Sequence, residues 1–374
     1  MAQKSSIRIF HIGDVHLDSP FSGVDVREGD ARHALQREAL LNALSLATEK
    51  GSDMILISGD LFDCGYVTEE SVRAVLSAIE KTKLPVILSP GNHDPYTPDG
   101  IYARKNLPEN LHVFTSEEMG RYDFDELRVS VHGYAFLSNR YFSDPLEGGY
   151  QLREGYINLL CAHTELDEAI PKFAPIKRAR LEGSGFVYAA LGHDHIHRPP
   201  VTAGGTTYAY SGFLFGRSFD ELGFGRGLIV DIDRESGETR VETVRLAHRR
   251  YEIEELDVSG AETESDVIGA VSALVSKKGY GRETSLRVVL RGAVSPELTL
   301  PSLGGGELSL ALLQLKDETV PSFDEEFLKN DITLKGALYR RLESELRCDD
   351  PYRRRVAAEA LRIGLCALDG KSFI

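Results

Sequence analysis

Apolar residues along this chain come in short runs separated by amphipathic stretches. Ile7-Arg8-Ile9-Phe10-His11-Ile12 reads as a strand, Met54-Ile55-Leu56-Ile57 as a short buried strand, and Val86-Ile87-Leu88 as another. Between the first two, Asp30 is expected to cap a helix running to Gly51, with Leu35, Leu40, Ala43, Leu44 and Ala47 on one side. Residues 72–79 are helical in pattern. Strand, helix, strand, helix, strand predicts a parallel sheet at the start of an α/β domain. The pattern then becomes strand-rich, with candidates at 127–132, 156–162, 186–190, 206–210 and 228–232, while 138–150, rich in Gly, Pro, Ser and Asn, reads as a long loop.

The pattern shifts near Arg249. Residues 241–246 add an edge strand, and 251–256 open a fresh strand–helix–strand run continued by 267–275 and 286–290. Gly304-Gly305-Gly306 marks a turn. Leu334, Leu338, Leu342 and Leu346 recur every fourth residue on one predicted helix. Asp350-Pro351, a cap followed by proline at the first helical position, opens a second, with Ala357, Leu361, Leu365 and Leu368 as its stripe and Gly370 as its stop. At roughly 150 residues per domain, the 374 residues suggest two or three units, and the expected division is 1–248, 249–320 and 321–374. No internal repeat or low-complexity tract interrupts this order.

Composition narrows the classes. Hydrophobic content of 42% and charged content of 27% fit a globular chain and exclude a disordered one. No apolar run approaches the roughly 20 residues needed to span a bilayer, and the N-terminal residues lead directly into a strand without a signal-peptide pattern. Cytoplasmic location without membrane contact is the expectation. Cys64, Cys161, Cys348 and Cys366 have no paired spacing and read as free thiols of a reducing compartment. A net charge of −15 repels polyanions at long range and argues against nucleic acid, although Lys177-Arg178, Arg249-Arg250, Arg340-Arg341 and Arg353-Arg354-Arg355 form local basic clusters.

Chemistry concentrates in the first part of the chain. Gly13-Asp14-Val15-His16, Gly59-Asp60-Leu61-Phe62-Asp63, Gly91-Asn92-His93-Asp94, Cys161-Ala162-His163 and Gly192-His193-Asp194-His195 each follow an apolar strand candidate. In open α/β sheets the carboxyl ends of strands face one shared crevice, so loops distant in sequence deliver side chains to one place. Aspartate, histidine and asparagine together suit a divalent ion such as Mn²⁺, Fe²⁺ or Zn²⁺. There are too many such ligands for one ion and enough for two, and ions roughly 3.5–4 Å apart suit in-line displacement at phosphorus. One carboxylate must then bridge them. Asp60 is the candidate, because its loop lies between the others in chain order and glycine precedes it. Any one of these motifs alone is more often a turn or a cap than a site; their joint occurrence after strands carries the reading.

Asp14-x-His16, Gly59-Asp60-x-x-Asp63, Gly91-Asn92-His93-Asp94, His163 and Gly192-His193-x-His195 together resemble the signature of the calcineurin-like metallophosphoesterase superfamily. Residues 14–21, 190–198 and 216–223 resemble its DNA-repair-nuclease branch, the bacterial SbcD and YhaO types in particular; where some nucleases of that branch carry His, this chain has Asp63. The resemblance spans about residues 6–235 and is loose in the C-terminal third.

It implies an α/β fold built as a two-sheet β-sandwich flanked by helices, with a small α+β capping domain and C-terminal helices. It also implies two divalent metal ions, Mn²⁺ first, with Fe²⁺ or Zn²⁺ as alternatives. Asp14, His16, Asp60 and His195 would hold one ion, and Asp60, Asn92, His163 and His193 the other. His93 would assist the leaving oxygen, with Asp63 orienting its ring and raising its pKa. The activity implied is a metal-dependent phosphodiesterase, a DNA exo- or endonuclease of double-strand-break repair. It would act as a homodimer with an SMC-like ATPase of the SbcC type.

Two other classes compete. One is a small-molecule or nucleotide phosphodiesterase; a Ser/Thr-phosphatase is disfavoured, because Cys64 and Asp94 stand where that group has arginine and glutamate. The other is a scaffold without turnover. His197 is expected to face solvent, and His11 and His132 to be structural.

Overall fold

The computed structural model describes residues 4–21 and 26–370. The chain divides into two compact units, Met1–Arg250 and Tyr251–Ile374.

The first unit opens with β1 (Ser6–Ile12), α1 (Val26–Glu49), β2 (Met54–Ile57), α2 (Glu69–Thr82), β3 (Val86–Leu88) and β4 (Leu111–Val113). The strands from β1 to β4 lie parallel in that order, which the alternation of strand and helix predicts for β1 to β3. Next come β5 (Gly120–Phe124), β6 (Val129–Gly133), β7 (Ile157–His163), α3 (Arg178–Glu182), β8 (Tyr188–Gly192), β9 (Val201–Ala203) and β10 (Thr206–Tyr210). They form a second sheet in the order β5-β6-β7-β8-β10-β9, parallel from β6 to β10 and antiparallel at both edges. The first sheet is extended by β11 (Gly223–Asp233), antiparallel to β1.

The strand alternation explains the layers. Ile7 and Ile9 of β1 pack between the sheets with Leu56, Ile87, Val131, Leu159 and Tyr188, whereas Phe10 and Ile12 point outward against α1 and α2. A strand buried on both faces has no polar alternation, which is why β2 and β3 read as continuous apolar runs. The outer face of the second sheet is covered by irregular chain carrying Tyr134, Phe136, Tyr141 and Ile176. The product is a two-sheet sandwich flanked by helices. Leu56 is fully buried between the sheets, so Leu56→Ala is expected to remove about 2–5 kcal/mol of stability, read as a lower urea midpoint at unchanged slope.

His11 and His132 are structural, as expected. His11 joins the two sheets, with Nδ1 2.9 Å from the Tyr188 hydroxyl and Nε2 3.0 Å from Ser58 Oγ, and burial holds its pKa down to about 3. His132 Nε2 lies 3.2 Å from Asn158 Oδ1. Helix α1 starts at Val26, so Asp30 lies inside its first turns instead of capping it.

β12 (Thr239–Asp257) is one strand of 19 residues. The edge strand at 241–246 and the fresh strand at 251–256 are therefore parts of the same element. The second unit adds α4 (Glu264–Lys278), β13 (Thr284–Arg291), β14 (Ala293–Val294), β15 (Leu312–Asp317) and β16 (Val320–Pro321). Thr263 and Asp266 close a reciprocal cap on α4, and Val267, Val271 and Val275, one turn apart, pack on Leu286, Val288 and Leu290 of β13. Three helices follow: α5 (Glu325–Asn330), α6 (Leu334–Leu346) and α7 (Pro351–Leu368). Asp350 accepts from the backbone of Tyr352 and Arg353 at the start of α7, as the Asp-Pro pair predicts. Among the described residues no helix is long and apolar enough to cross a membrane.

Candidate metal centre

Each motif loop leaves the carboxyl end of a strand. Asp14 and His16 follow β1, Asp60 follows β2, Asn92 and His93 follow β3, His163 ends β7, and His193 and His195 follow β8. The first two loops continue the parallel pairing of their strands: Asp14 N donates to Gly59 O, and both Val15 N and His16 N donate to Asp60 O at 2.9 Å. To turn side chains into the crevice, the backbone adopts positive φ at Asp14 (49°), His16 (47°), Asp60 (50°) and His193 (101°). A non-glycine residue there is strained by on the order of 1 kcal/mol or more, and such strain clusters at functional sites.

Asp94 holds these turns together. It is wholly buried, and its carboxylate accepts from the backbone N–H of Gly91 (2.8 Å), Asp60 (3.1 Å), Leu61 (2.8 Å) and Phe62 (3.2 Å), and from the Tyr102 hydroxyl. Gly91 is required beside it, since a Cβ at that position would lie 2.2 Å from Asp60 Oδ1.

Asp60 occupies the middle of the cluster. Its Oδ1 accepts from His93 N at 2.9 Å, which leaves Oδ2 facing His16 Nε2 and His163 Nε2, each at 3.4 Å. His195 Nε2 lies 3.1 Å from His16 Nε2 and 3.7 Å from Asp14 Oδ1. His163 Nε2 lies 2.9 Å from Asn92 Oδ1. Ligand atoms within 4.8 Å of one another form the groups Asp14–His16–His195, His16–Asp60–His93 and Asp14–Asp60–His163.

The donor set fits divalent cations. His163 Nδ1 is 3.0 Å from the Ser58 carbonyl, which can only accept, so the ring proton sits on Nδ1 and Nε2 presents a lone pair. That lone pair faces Asn92 Oδ1 and Asp60 Oδ2, an arrangement of electron pairs that a cation would reconcile. His16 Nδ1 is also buried without a partner. Burial alone disfavours charge on every buried member. It pushes Asp14 up to about 7 and Asp60 up to about 6, and it lowers His163 and His193 to about 3 and His16 well below the ordinary imidazole value. Neutral imidazoles and proton-retaining carboxylates, crowded together, are groups that a cation would bind and stabilise.

His93 differs. Its side chain is 44% exposed, Nδ1 lies 3.6 Å from Asp63 Oδ2, and the Asp63 interaction raises its pKa above the ordinary value. Asp63 thus stands beside His93 at the rim, and His93 also stands among the convergent ligand atoms. His193 belongs to none of the three groups. Its backbone N–H is tied to the Asp14 carboxylate, its ring lies 4.6 Å from that of Phe173, and its Nε2 is 3.9 Å from Glu165 Oε2. His197, expected to face solvent, instead stacks on Phe213 with ring centroids 4.4 Å apart.

Sequence reasoning gave no role to Asp94, Glu165, Arg217 or Glu221. Glu221 Oε1 lies 2.8 Å from His195 Nδ1. Burial works to lower the His195 pKa, yet this hydrogen bond carries it above the ordinary value. Burial likewise pushes Glu221 up, but hydrogen bonds from His195 and Arg217 bring it down to about 2. Only the run Gly216 to Gly223, alike to the repair-nuclease branch, signalled this segment.

Comparison with known proteins agrees with the geometry. The calcineurin-like phosphoesterase profile matches residues 7–197. The chain is 24% identical over 316 residues to the uncharacterized metallophosphoesterase YhaO of Bacillus subtilis (strain 168), covering 80% of this chain and 75% of that protein. It is 27% identical over 262 residues to the DNA double-strand break repair protein Mre11 of Thermoplasma acidophilum, covering 65% of this chain and 66% of that protein. It is 23% identical over 262 residues to the SbcD component of the SbcCD nuclease of Staphylococcus epidermidis, covering 61% of this chain and 66% of that protein. The match therefore spans just under two thirds of the length of the last two. With the profile covering half the chain and the strand-end loops converging as described, this protein is a member of the calcineurin-like phosphoesterase family.

Proposed function

We propose that this chain is a metal-dependent phosphodiesterase acting on DNA, with two divalent cations, Mn²⁺ first, held by Asp14, His16, Asp60 and His195 and by Asp60, Asn92, His163 and His193. The observation that carries the reading is the position of Asp60 Oδ2, equidistant at 3.4 Å from His16 Nε2 and His163 Nε2. One oxygen placed between two histidines from different loops is suited to a shared ligand. When bound, the cations supply Lewis acidity: they neutralise charge on the phosphate oxygens and lower the pKa of water.

The chain's own groups do the rest. Asp60 and the histidines fix where the phosphate docks. His93, exposed at the rim and protonated more readily because of Asp63, gives a proton to the departing oxygen. Asp63 keeps the His93 ring aimed and compensates its charge.

DNA as substrate is supported by the names of two relatives, a double-strand break repair protein and a nuclease component. The second name also supports a partner protein, which we take to be an SMC-like ATPase of the SbcC type, with the chain itself as a homodimer. The net charge of −15 favours a second reading, a phosphodiesterase for small nucleotides. Titrating Mn²⁺ into the purified chain with single-stranded DNA, duplex ends and bis-p-nitrophenyl phosphate in parallel separates them. Cleavage of DNA is expected. Hydrolysis of the small diester alone, with DNA intact even beside a coiled-coil ATPase, would leave only the second reading.

Metal uptake should displace protons. In the metal-free protein burial keeps protons on Asp14 up to about 7 and on Asp60 up to about 6, and Glu221 keeps one on His195 beyond the ordinary imidazole range, whereas His163 and His193, lowered to about 3, are already neutral. Raised carboxyl values mean that the metal-free state carries the extra protons at pH 6. Binding there is expected to release roughly two protons, and affinity should climb from pH 5 until Asp14, Asp60 and His195 have all lost theirs. Calorimetry in buffers of different ionisation enthalpy reads the number directly; no proton release at pH 6 would contradict it.

A further inference from the structure

The segment after β10 brings Arg217 and Glu221 against the outer side of His195. Glu221 is only 4% exposed. Its Oε1 receives His195 Nδ1–H at 2.8 Å and Arg217 Nη2–H at 2.6 Å, while its Oε2 receives the backbone N–H of Arg217 at 2.7 Å. The Arg217 guanidinium reaches on to Ser19 Oγ at 3.3 Å, and Ser19 N in turn donates to His16 O at 3.0 Å. One carboxylate and one guanidinium thus tie the ring of His195 to the turn that carries His16.

We propose that Glu221, braced by Arg217, is a positioning residue that sets the tautomer and aim of His195 and so controls only the cation position formed by Asp14, His16 and His195. This rests on the metal-centre reading above. A carboxylate can only accept, so it fixes the ring proton on Nδ1 and leaves the Nε2 lone pair directed at Asp14 Oδ1 and His16 Nε2, 3.7 and 3.1 Å away. The group around His163 has its own anchor, the Ser58 carbonyl at 3.0 Å. The two cation positions are therefore oriented by separate partners, and disturbing one should spare the other.

The test uses the full chain with Glu221→Ala and Glu221→Gln. Titration calorimetry of Mn²⁺ into metal-free wild type is expected to show two binding events. In Glu221→Ala one event should weaken by about 10–100-fold while the other stays unchanged. Glu221→Gln, which keeps an oxygen acceptor for Nδ1–H, should recover part of the loss. Two wild-type events in Glu221→Ala would overturn the proposal. So would equal weakening of both together with a lower unfolding midpoint of the metal-free protein, the signature of a purely structural loop. Imidazole ¹⁵N spectra of the metal-free protein at alkaline pH give a reading that needs no metal. Wild-type His195 should carry its proton on Nδ1 and Glu221→Ala should lose that preference; a wild-type proton on Nε2 sinks the idea. If wild type bound no metal at all, the metal-centre reading would fall, and the ¹⁵N spectra would still decide what Glu221 does to the ring.

Discussion

Replacing Asp60 with alanine is expected to abolish turnover and uptake of both cations, whereas replacing His93 with alanine should leave two ions bound and lower kcat by about 10²–10⁴-fold. The contrast follows from position. Asp60 Oδ2 stands between His16 and His163, so its loss leaves each half of the cluster without its shared oxygen. His93 lies at the exposed rim with its Nδ1 toward Asp63, and the contribution proposed for it is a proton delivered during the reaction. Metal content by mass spectrometry beside single-turnover rates separates the two. Full loading of both variants would overturn the division of roles.

Asp94→Ala is expected to cost about 3–5 kcal/mol of stability and to weaken metal uptake, although Asp94 belongs to none of the convergent ligand groups. Its carboxylate receives four backbone N–H groups, from Gly91 and from the consecutive residues 60, 61 and 62, as well as the Tyr102 hydroxyl. Alanine leaves these buried donors without an acceptor, and the Asp60 turn loses what holds it in its left-handed conformation. Asp94→Asn, nearly the same shape, keeps one oxygen and turns the other position into a donor that opposes N–H groups, so it should lose most of the same stability. Urea unfolding of the metal-free variants gives the number; a loss below about 1 kcal/mol would show that the loops hold themselves.

The motif residues could be read from the sequence because strand ends and ligand chemistry are local signals. β2 and β3 are short apolar runs and β1 a mostly apolar one; they stop at Ser58, Ser89 and Gly13, and Asp14, His16, Asp60, Asn92 and His93 come just after them, as His163, His193 and His195 come at the ends of β7 and β8. Sequence could not tell how far each ring would reach. His193 matches the motif, yet its backbone is drawn to Asp14 and its ring toward Phe173, an outcome of tertiary hydrogen bonding. Glu221 escaped notice because its partner is 26 residues away and nothing in local spacing links a carboxylate to the far nitrogen of a histidine. The edge strands β4, β5 and β9 were missed for another reason. They are short and only partly apolar, and pairing with a neighbour makes them strands more than their own pattern does.

The left-handed backbone at Asp14, His16 and Asp60 restricts how this centre can change over generations. Substitution there must satisfy two demands at once, an atom able to grip a cation and a main chain tolerant of an unusual twist, and asparagine is among the few alternatives that approach both. Asn92, His163 and His195 carry no such twist. On the proposed assignment, a change of ion would be channelled through those three places, with 14, 16 and 60 as the fixed half of the cradle.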